Sequence, residues 1–276
     1  MVGALQDDLT RKRILRNVRE ATEELLHEFH DDLAFDNWRS PDQFLGKRPE
    51  YADVGKFLIL SLLKQYENPS LIASDAGWYE HLRDALDVAT IEELQALQLS
   101  VVTFNYDRSL DFFLHKYVKH RFRLTADEAW EAVQRAIPIV HVHGTLGPYP
   151  SNEYRDNTAL LSLADARAIK IVSEVDENSD EFQIATRLLN GAERVVVFGF
   201  GFGTDNVRRL KYFRQITEES AFVEDRDVRI AFGSRAGSQN KQEASRWLMQ
   251  WGLVNERHFW MLDCNRYFQY QANPFV

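Results

Sequence analysis

The chain has 276 residues, a mass of 32.2 kDa and a formal net charge of −9. Hydrophobic residues make up 45% and charged residues 27%, which is ordinary for a globular protein with one large domain. The acidic balance argues against direct nucleic-acid binding, because phosphate contacts need a basic face. The single Cys264 excludes an intrachain disulfide and a cysteine-based zinc site, and fits a reducing cytoplasm.

The beginning of the chain resembles no signal peptide, and no apolar run reaches the roughly 18 residues that a membrane helix needs. We therefore expect a cytoplasmic protein without a membrane segment. The sequence contains no internal repeat and no low-complexity tract.

Residues 4–34 predict one or two helices, because apolar residues recur at a spacing near 3.6 and share one face. The residues of that face are Leu5, Leu9, Ile14, Val18, Ala21, Leu25 and Phe29. We interpret the basic run over 11–19 as a solvated face and His27 and His30 as surface residues, because two histidines without a third ligand rarely hold a metal.

A strongly apolar helix follows in EYADVGKFLILSLLKQYEN, with a core face of Val54, Phe57, Leu58, Leu62 and Leu63, and Pro69 is expected to stop it. Short helices are predicted for WYEHLRDAL and IEELQAL. The portion over 5–97 is thus predicted to be helical, ahead of a Rossmann-like portion over 98–276 in one domain.

Two apolar strands, Leu99 to Phe104 and Ile137 to Val142, each end in a small polar cluster. The first ends at Asn105-Tyr106-Asp107 before a helical pattern, and the second ends at His143-Gly144. Polar residues at the carboxyl ends of parallel strands face the ligand crevice. We therefore expect Asn105, Asp107 and His143 to converge, although Asn105 and His143 lie 143 − 105 = 38 positions apart.

The segment from Gly147 to Asp180 is expected to be rich in loops. Beyond it we predict a helix over 182–189, a strand over 194–198, a turn over 199–203 and a helix capped by Thr204 or Asp205. A strand over 228–232, an amphipathic helix over 239–250 and a last strand in HFWMLD complete the pattern. Alternating strands and helices indicate an α/β fold with a doubly wound, mainly parallel sheet.

TFNYD, followed by an apolar run that ends in HG, resembles the sirtuin pattern TQNID followed by HG. The closer likeness is to bacterial SIR2-like domains, whose best-studied members cleave NAD in anti-phage defence. The segment ERVVVFGFGFGTDNVRRL resembles the later strand and glycine-rich turn of those domains. The likeness extends in order and spacing over roughly residues 51–210.

This resemblance implies NAD as the substrate and assigns catalytic roles to Asn105 and His143. The single cysteine and the scattered histidines separately predict that no metal is bound. Asn105 can orient a water or a ribose hydroxyl, and His143 can accept a proton near neutral pH. Asp107 is implied to order the pocket. The implied nucleotide-binding residues are Thr103, Phe104, Gly144, Gly199, Gly201, Thr204 and Asn206.

For each cluster, a purely structural role without a bound ligand also remains open. Asn105 and Asp107 are also suited to cap the following helix, and His143 to be a core histidine with satisfied hydrogen bonds. His141 is expected on the opposite face of a regular strand from His143, in a structural role. The glycines after the 194–198 strand fit either a phosphate contact or a tight turn that binds nothing.

One feature of the family is missing from the sequence. SIR2-like domains open with a strand and a Gly-Ala-Gly-type loop that holds the pyrophosphate, whereas Met1-Val2-Gly3-Ala4 leads directly into a helix. We therefore expect either an N-terminally incomplete chain or a natural form with impaired activity that binds NAD weakly. An inactive module that binds NAD-derived metabolites or a partner protein is the main alternative, and a homo-oligomer or a defence-system partner stays open. A protein deacetylase ranks third, because the four-cysteine zinc module is missing.

Overall fold

The computed structural model describes residues 1–35, 38, 40–74, 77–155, 161–175, 178–202, 204–210, 227–232, 242, 246 and 262–263. The helices are α1 (Val2–Leu5), α2 (Asp8–Asn17), α3 (Glu23–Phe35), α4 (Pro41–Lys47), α5 (Ala52–Lys64), α6 (Pro69–Ser74), α7 (Trp78–Ala85), α8 (Ile91–Ala96), α9 (Ser109–Phe122), α10 (Ala126–Ala136), α11 (Leu163–Arg167), α12 (Asp180–Gly191) and α13 (Thr204–Leu210). The strands are β1 (Val101–Thr103), β2 (Ile139–His141), β3 (Arg194–Phe198), β4 (Asp227–Phe232) and β5 (Leu262–Asp263). Short 3-10 helices cover Pro49–Tyr51 and Val172–Glu174.

The strands occur where the sequence predicts them, in two sheets. Within the first sheet, the amide of Val101 donates to the carbonyl of Pro138, and the amide of Val142 donates to the carbonyl of Thr103. This hydrogen-bond pattern makes β1 and β2 parallel. In the second sheet β4 lies between β3 and β5 and runs parallel to both. The α/β class is therefore supported, and the doubly wound Rossmann-like arrangement stays a prediction.

The chain divides into two compact units. Unit 1 comprises Met1–Ser74, Thr103–Lys116 and His141–Asp176, and unit 2 comprises Asp75–Val102, Tyr117–Val140 and Glu177–Val276. Each unit draws on both the predicted helical portion and the predicted Rossmann-like portion. The assignment of the whole chain to one domain stays a prediction.

The beginning of the chain forms three helices, so the prediction of one or two helices with a single apolar face is wrong. Asp7 caps α2 by accepting a hydrogen bond from the amide of Thr10, so the chain restarts a helix there. Each restart changes the direction in which the next side chains point, and a spacing of 3.6 does not persist across it. Leu9 is consequently 64% exposed, and Leu26 is fully buried.

The core of unit 1 forms around α5, which packs against α2, α4 and α11. The rings of Phe29, Phe44 and Tyr51 stack with centroids 5.0 to 5.8 Å apart. On α5, Val54, Phe57 and Leu58 are buried as predicted, whereas Leu62 and Leu63 are only partly buried. Pro69 begins α6, which fits the preference of proline for the first turn of a helix.

Two helices lie where the sequence analysis predicted none. In unit 2, α10 packs against α8 and begins with a capping box in which Thr125 and Glu128 bond each other's backbone amides. In unit 1, α11 lies inside the segment expected to be rich in loops and begins with a similar box between Ser162 and Asp165. The pattern of a hydroxyl residue followed three positions later by an acidic residue was a usable signal in both cases.

Within the described ranges, no helix is both long and apolar enough to cross a membrane. The predicted helix over 239–250 lies outside the described residues, apart from positions 242 and 246, and so does the aromatic end of the chain. The predicted last strand is represented by β5.

Candidate functional site

Asn105 lies two residues beyond the end of β1 and begins the first predicted cluster. Its backbone amide donates to Oγ1 of Thr103 at 3.1 Å, so the side chain of Thr103 fixes the bend at the end of the strand. The side chain of Asn105 is exposed and makes no hydrogen bond within the described part of the chain. Its amide therefore has both a donor and an acceptor to offer a ligand.

His143 lies just beyond the end of β2 and is only 4% exposed. Its Nδ1 lies 3.1 Å from the carbonyl oxygen of Lys170, whose own amide donates to the carbonyl of His143 at 2.8 Å. A carbonyl oxygen can only accept, so Nδ1 carries the proton. In the neutral ring the lone pair is consequently on Nε2, which is the nitrogen that can act as a base.

Gly144 is required by the backbone at this point. Its φ is +76°, and a Cβ built on it would lie 1.9 Å from the carbonyl oxygen of Ala168. An antiparallel bridge between Gly144 and Ile169 brings the two segments this close. Only glycine avoids both the left-handed strain and the clash, and the same close approach carries the Lys170 carbonyl to His143.

The two predicted clusters come together in unit 1. The ring centroid of His143 lies 5.7 Å from that of Phe104 and 6.3 Å from that of Tyr106. These aromatic residues flank Asn105 in the sequence, so the histidine packs against both neighbours of the asparagine. The segment that contains Asn105 therefore lies next to His143, and the convergence of the Asn105, Asp107 and His143 side chains stays a prediction.

Asp107 uses its carboxylate at the start of α9. Its Oδ1 accepts a hydrogen bond from the amide of Ser109 at 3.1 Å and another from the hydroxyl of Ser109. These are the contacts of a helix-capping residue. The capping interpretation thus describes Asp107, whose contribution to the site is to fix the segment that joins Asn105 to α9.

Tyr106 links this segment to the helical part of unit 1. Its hydroxyl donates to Oδ1 of Asp42, in the first turn of α4, at 2.6 Å. Burial, together with the charge and hydrogen bond of Asp42, raises the pKa of Tyr106 far above its ordinary value. The hydroxyl therefore stays protonated and holds the ring that packs against His143.

Sequence reasoning missed a cluster of buried charges next to the motif, namely Arg108, Glu67 and Lys64. Their side chains are at most 2% exposed. Lys64 and Arg108 both contact Glu67, and burial lowers the pKa of Lys64 despite its hydrogen bond to that carboxylate. No local pattern marks an arginine for burial, and the position directly after Asp107 was the only available signal.

Arg108 also holds the loop that follows the His-Gly motif. Its Nη1 donates to the carbonyls of Gly147 at 3.2 Å and Asn152 at 2.7 Å, and its Nη2 donates to that of Glu153 at 3.3 Å. A guanidinium can make several such bonds at once because it carries five donors in a fixed plane. The loop is thereby fixed to the residue that follows Asp107.

His141, predicted to be structural, is connected directly to Asn105. Its Nδ1 lies 3.0 Å from the carbonyl oxygen of Asn105, and its Nε2 lies 3.0 Å from Oδ2 of Asp111 on α9. Burial by itself lowers the pKa of His141, but the hydrogen bond and charge of Asp111, the Asn105 carbonyl and the charge of Asp107 outweigh it and raise that pKa.

The glycine-rich turn belongs to unit 2 and joins β3 to α13. Gly199 has a φ of +60°, and a Cβ built on Gly199 or Gly201 would meet no atom of the described residues within 4 Å. Phe202 also has a positive φ of 51°, which is costly for an aromatic residue, and it is buried against the ring of Phe200. The open space beside the glycines fits the close approach of a phosphate.

The other predicted nucleotide-binding residues of this turn lie on α13. The helix begins at Thr204, so Thr204 and Asp205 stand in its first turn rather than before it as the expected caps. Asn206 is partly buried one position further along. Their roles in nucleotide binding stay predictions.

A family model for the SIR2-like domain matches residues 99–255, which is more than half of the chain. The chain belongs to the SIR2-like domain family. No curated protein and no solved structure matches it. The matched span contains Asn105, His143 and the glycine-rich turn, and membership in the family points to NAD as the ligand.

No cluster of metal-binding side chains occurs in the described ranges of this SIR2-like chain. On α3, the exposed His27 and the partly buried His30 each approach Asp31, at 3.6 and 3.0 Å. The predicted absence of a metal stays a prediction.

Proposed function

We propose that this SIR2-like chain hydrolyses NAD to ADP-ribose and nicotinamide. The observation that carries the proposal is the packing of His143, with Nδ1 held by the Lys170 carbonyl, against the two aromatic residues that flank Asn105. This arrangement pairs an exposed amide with a histidine whose tautomer is fixed. Both groups suit chemistry at a ribose carbon.

The reaction breaks the bond between the ribose and nicotinamide and forms a bond between the ribose and water. As nicotinamide leaves, the anomeric carbon gains oxocarbenium character. The amide of Asn105 orients the attacking water or a ribose hydroxyl, and Nε2 of His143 accepts the proton that the water loses. Nicotinamide departs as a neutral molecule, and the proton later passes from His143 to solvent.

Recognition of NAD is expected from backbone and small side chains rather than from net charge. Gly144 allows the chain to approach closely beside His143, and Thr103 and Phe104 fix the strand end. In unit 2, a Cβ on Gly199 or Gly201 would meet no atom of the described residues within 4 Å, which suits close approach by a phosphate, and Thr204 and Asn206 follow in the sequence.

The test measures nicotinamide release from NAD by the purified chain. Asn105→Ala and His143→Ala should lower the rate at least about a hundredfold. His120→Ala is the matched control, because His120 is exposed on α9, and it should retain the wild-type rate. Undiminished release in a folded His143→Ala variant would overturn the assigned role of His143.

A non-catalytic module that binds NAD-derived metabolites or a partner protein is the second candidate. It is favoured by the burial of His143 and by the capping contacts of Asp107, which match the alternative roles for these residues. Calorimetric binding of NAD or ADP-ribose without nicotinamide release would support this candidate over hydrolysis.

The likeness of TFNYD and HVHG to bacterial NAD-cleaving domains supports a role in anti-phage defence in the bacterial cytoplasm. In such a role, self-association or a partner protein would switch the activity on. Bacteria that express the chain should lose NAD and yield fewer plaques during infection, and those that express His143→Ala should not.

A further inference from the structure

Both ring nitrogens of His141 face an acceptor. Nδ1 lies 3.0 Å from the carbonyl oxygen of Asn105, and Nε2 lies 3.0 Å from Oδ2 of Asp111. The side chains of His141 and Asp111 are 9% and 8% exposed, so water has little access to the hydrogen bond between them. The geometry therefore constrains where the protons are.

A neutral imidazole has one N–H and can donate to only one of these two oxygens. The Asn105 carbonyl can only accept, so it needs the proton on Nδ1. An ionised carboxylate also only accepts, so Asp111 needs a proton on Nε2. The alternative, a neutral imidazole beside a protonated Asp111, is disfavoured because a carboxyl group is a much stronger acid than an imidazolium.

We propose that His141 is a positively charged positioning residue that clamps the Asn105 carbonyl to Asp111 and thereby fixes the direction of the Asn105 side chain. Loss of one proton from His141 breaks one of the two hydrogen bonds and releases the strand end. The catalytic consequence rests on the proposed NAD hydrolysis, whereas the clamp itself does not. His141 acts through Asn105 and has no assigned contact with the substrate.

The charged groups around His141 favour the imidazolium. Asp111 faces it from α9, Asp107 contributes a second negative charge from the segment before α9, and the Asn105 carbonyl contributes a dipole. The charge of Asp111 also acts on Tyr149, whose hydroxyl lies 2.6 Å from Nδ1 of His115. Burial opposes the charge on His141, but these groups together raise its pKa.

The test uses the wild-type chain and needs no substrate. Carbonyl-¹³C asparagine combined with ¹⁵N-tyrosine labels a single peptide bond, because Asn105-Tyr106 is the one Asn-Tyr pair in the sequence. Ring ¹⁵N shifts report the protonation of His141, whose signal is identified by its loss in His141→Gln. Both signals are followed from about pH 5 to pH 9.

The expected result is a His141 ring with both nitrogens protonated at neutral pH, and an Asn105 carbonyl signal that titrates with the same midpoint. Asp111→Asn should lower that midpoint by about one pH unit or more, a tenfold loss of proton affinity. Asp84→Asn removes an exposed carboxylate on α7 and should leave it unchanged. A singly protonated ring at neutral pH, or an Asn105 signal that does not follow the ring, would overturn the clamp.

Kinetics separate the clamp from the proposed function. If the wild-type chain releases nicotinamide, kcat should fall on the alkaline side at the His141 midpoint with KM little changed, and Asp111→Asn should move that fall to lower pH. An alkaline limb that is the same in Asp111→Asn and wild type would refute the positioning role. A wild-type chain without turnover refutes the proposed hydrolysis, and the ring and carbonyl titrations still decide the clamp.

Discussion

Arg108 and Glu67 form a bidentate ion pair that is buried from solvent. Nε of Arg108 lies 2.8 Å from Oε1 of Glu67, and Nη2 lies 2.6 Å from Oε2. Because Arg108 follows Asp107 and also bonds the loop after the His-Gly motif, the pair joins both halves of the candidate site to the end of α5. Removal of one partner from such a buried pair is costly, because the other charge is then buried without compensation.

Glu67→Gln should be strongly destabilising, because it leaves the buried cations Arg108 and Lys64 facing a neutral amide. The expected loss is about 3 to 5 kcal/mol in the free energy of unfolding, measured by chemical denaturation. Glu131→Gln is the matched control, because Glu131 pairs with Arg135 where both side chains are more than 60% exposed, and it should cost less than about 1 kcal/mol. Equal losses in the two variants would contradict this account.

Tyr106→Phe should destabilise the chain by about 1 to 3 kcal/mol, because it removes a hydrogen bond to the carboxylate of Asp42 without changing the packing of the ring. The same change in Tyr66, which is 68% exposed, should have almost no effect on thermal unfolding. A Tyr106→Phe variant with wild-type stability would mean that the hydroxyl does not hold the strand-end segment.

Gly144→Ala should destabilise the fold by at least about 2 kcal/mol, since alanine is strained at a φ of +76° and its Cβ would clash with the Ala168 carbonyl. Gly191→Ala, at the end of α12, should be neutral or slightly stabilising, because no atom of the described residues lies within 4 Å of the added carbon. Denaturant midpoints of the two variants provide the comparison. A stable Gly144→Ala protein would show that the segment from Ala168 to Lys170 can move away.

Gly201→Ala tests whether the open space in the glycine turn is used by a ligand. Among the described residues, no atom lies within 4 Å of the added methyl group, so thermal stability should stay close to that of the wild type. If a phosphate of NAD approaches there, the Kd measured by calorimetry should rise about tenfold, or about 1.4 kcal/mol. An unchanged Kd would remove this turn from the binding site.

Alkaline pH should reduce the stability that Tyr51 gives to the folded state. Burial and, after it, the hydrogen bond to Asp32 raise the pKa of Tyr51 to about 12. Because the folded state favours the neutral hydroxyl, the contribution of Tyr51 to the free energy of unfolding is fully present below pH 10 and is lost as the pH rises towards 12. The loss should reach up to about 3 kcal/mol in the wild type relative to Tyr51→Phe. Denaturation of both proteins at a series of pH values measures it, and parallel stability curves would contradict the assignment.

The sequence by itself determined the positions of the strands and the two motifs. The run Arg194–Phe198 forms β3 with the predicted bounds, and Asn105 and His143-Gly144 follow β1 and β2 as expected. These features depend on short apolar runs, on polar residues that end them and on a glycine at a positive φ, and all of these act over a few neighbouring residues.

Tertiary structure alone decided how the polar side chains pair. Arg108 pairs with Glu67, which lies 41 positions away in the sequence, and His141 pairs with Asp111, which lies 30 positions away. Arginine is almost never fully buried unless it is paired, and the removal of water by the surrounding core is what makes the pairing of these polar groups necessary. A local pattern carries no information about which distant carboxylate will be buried beside them, and for that reason the charged core around the candidate site could not be predicted.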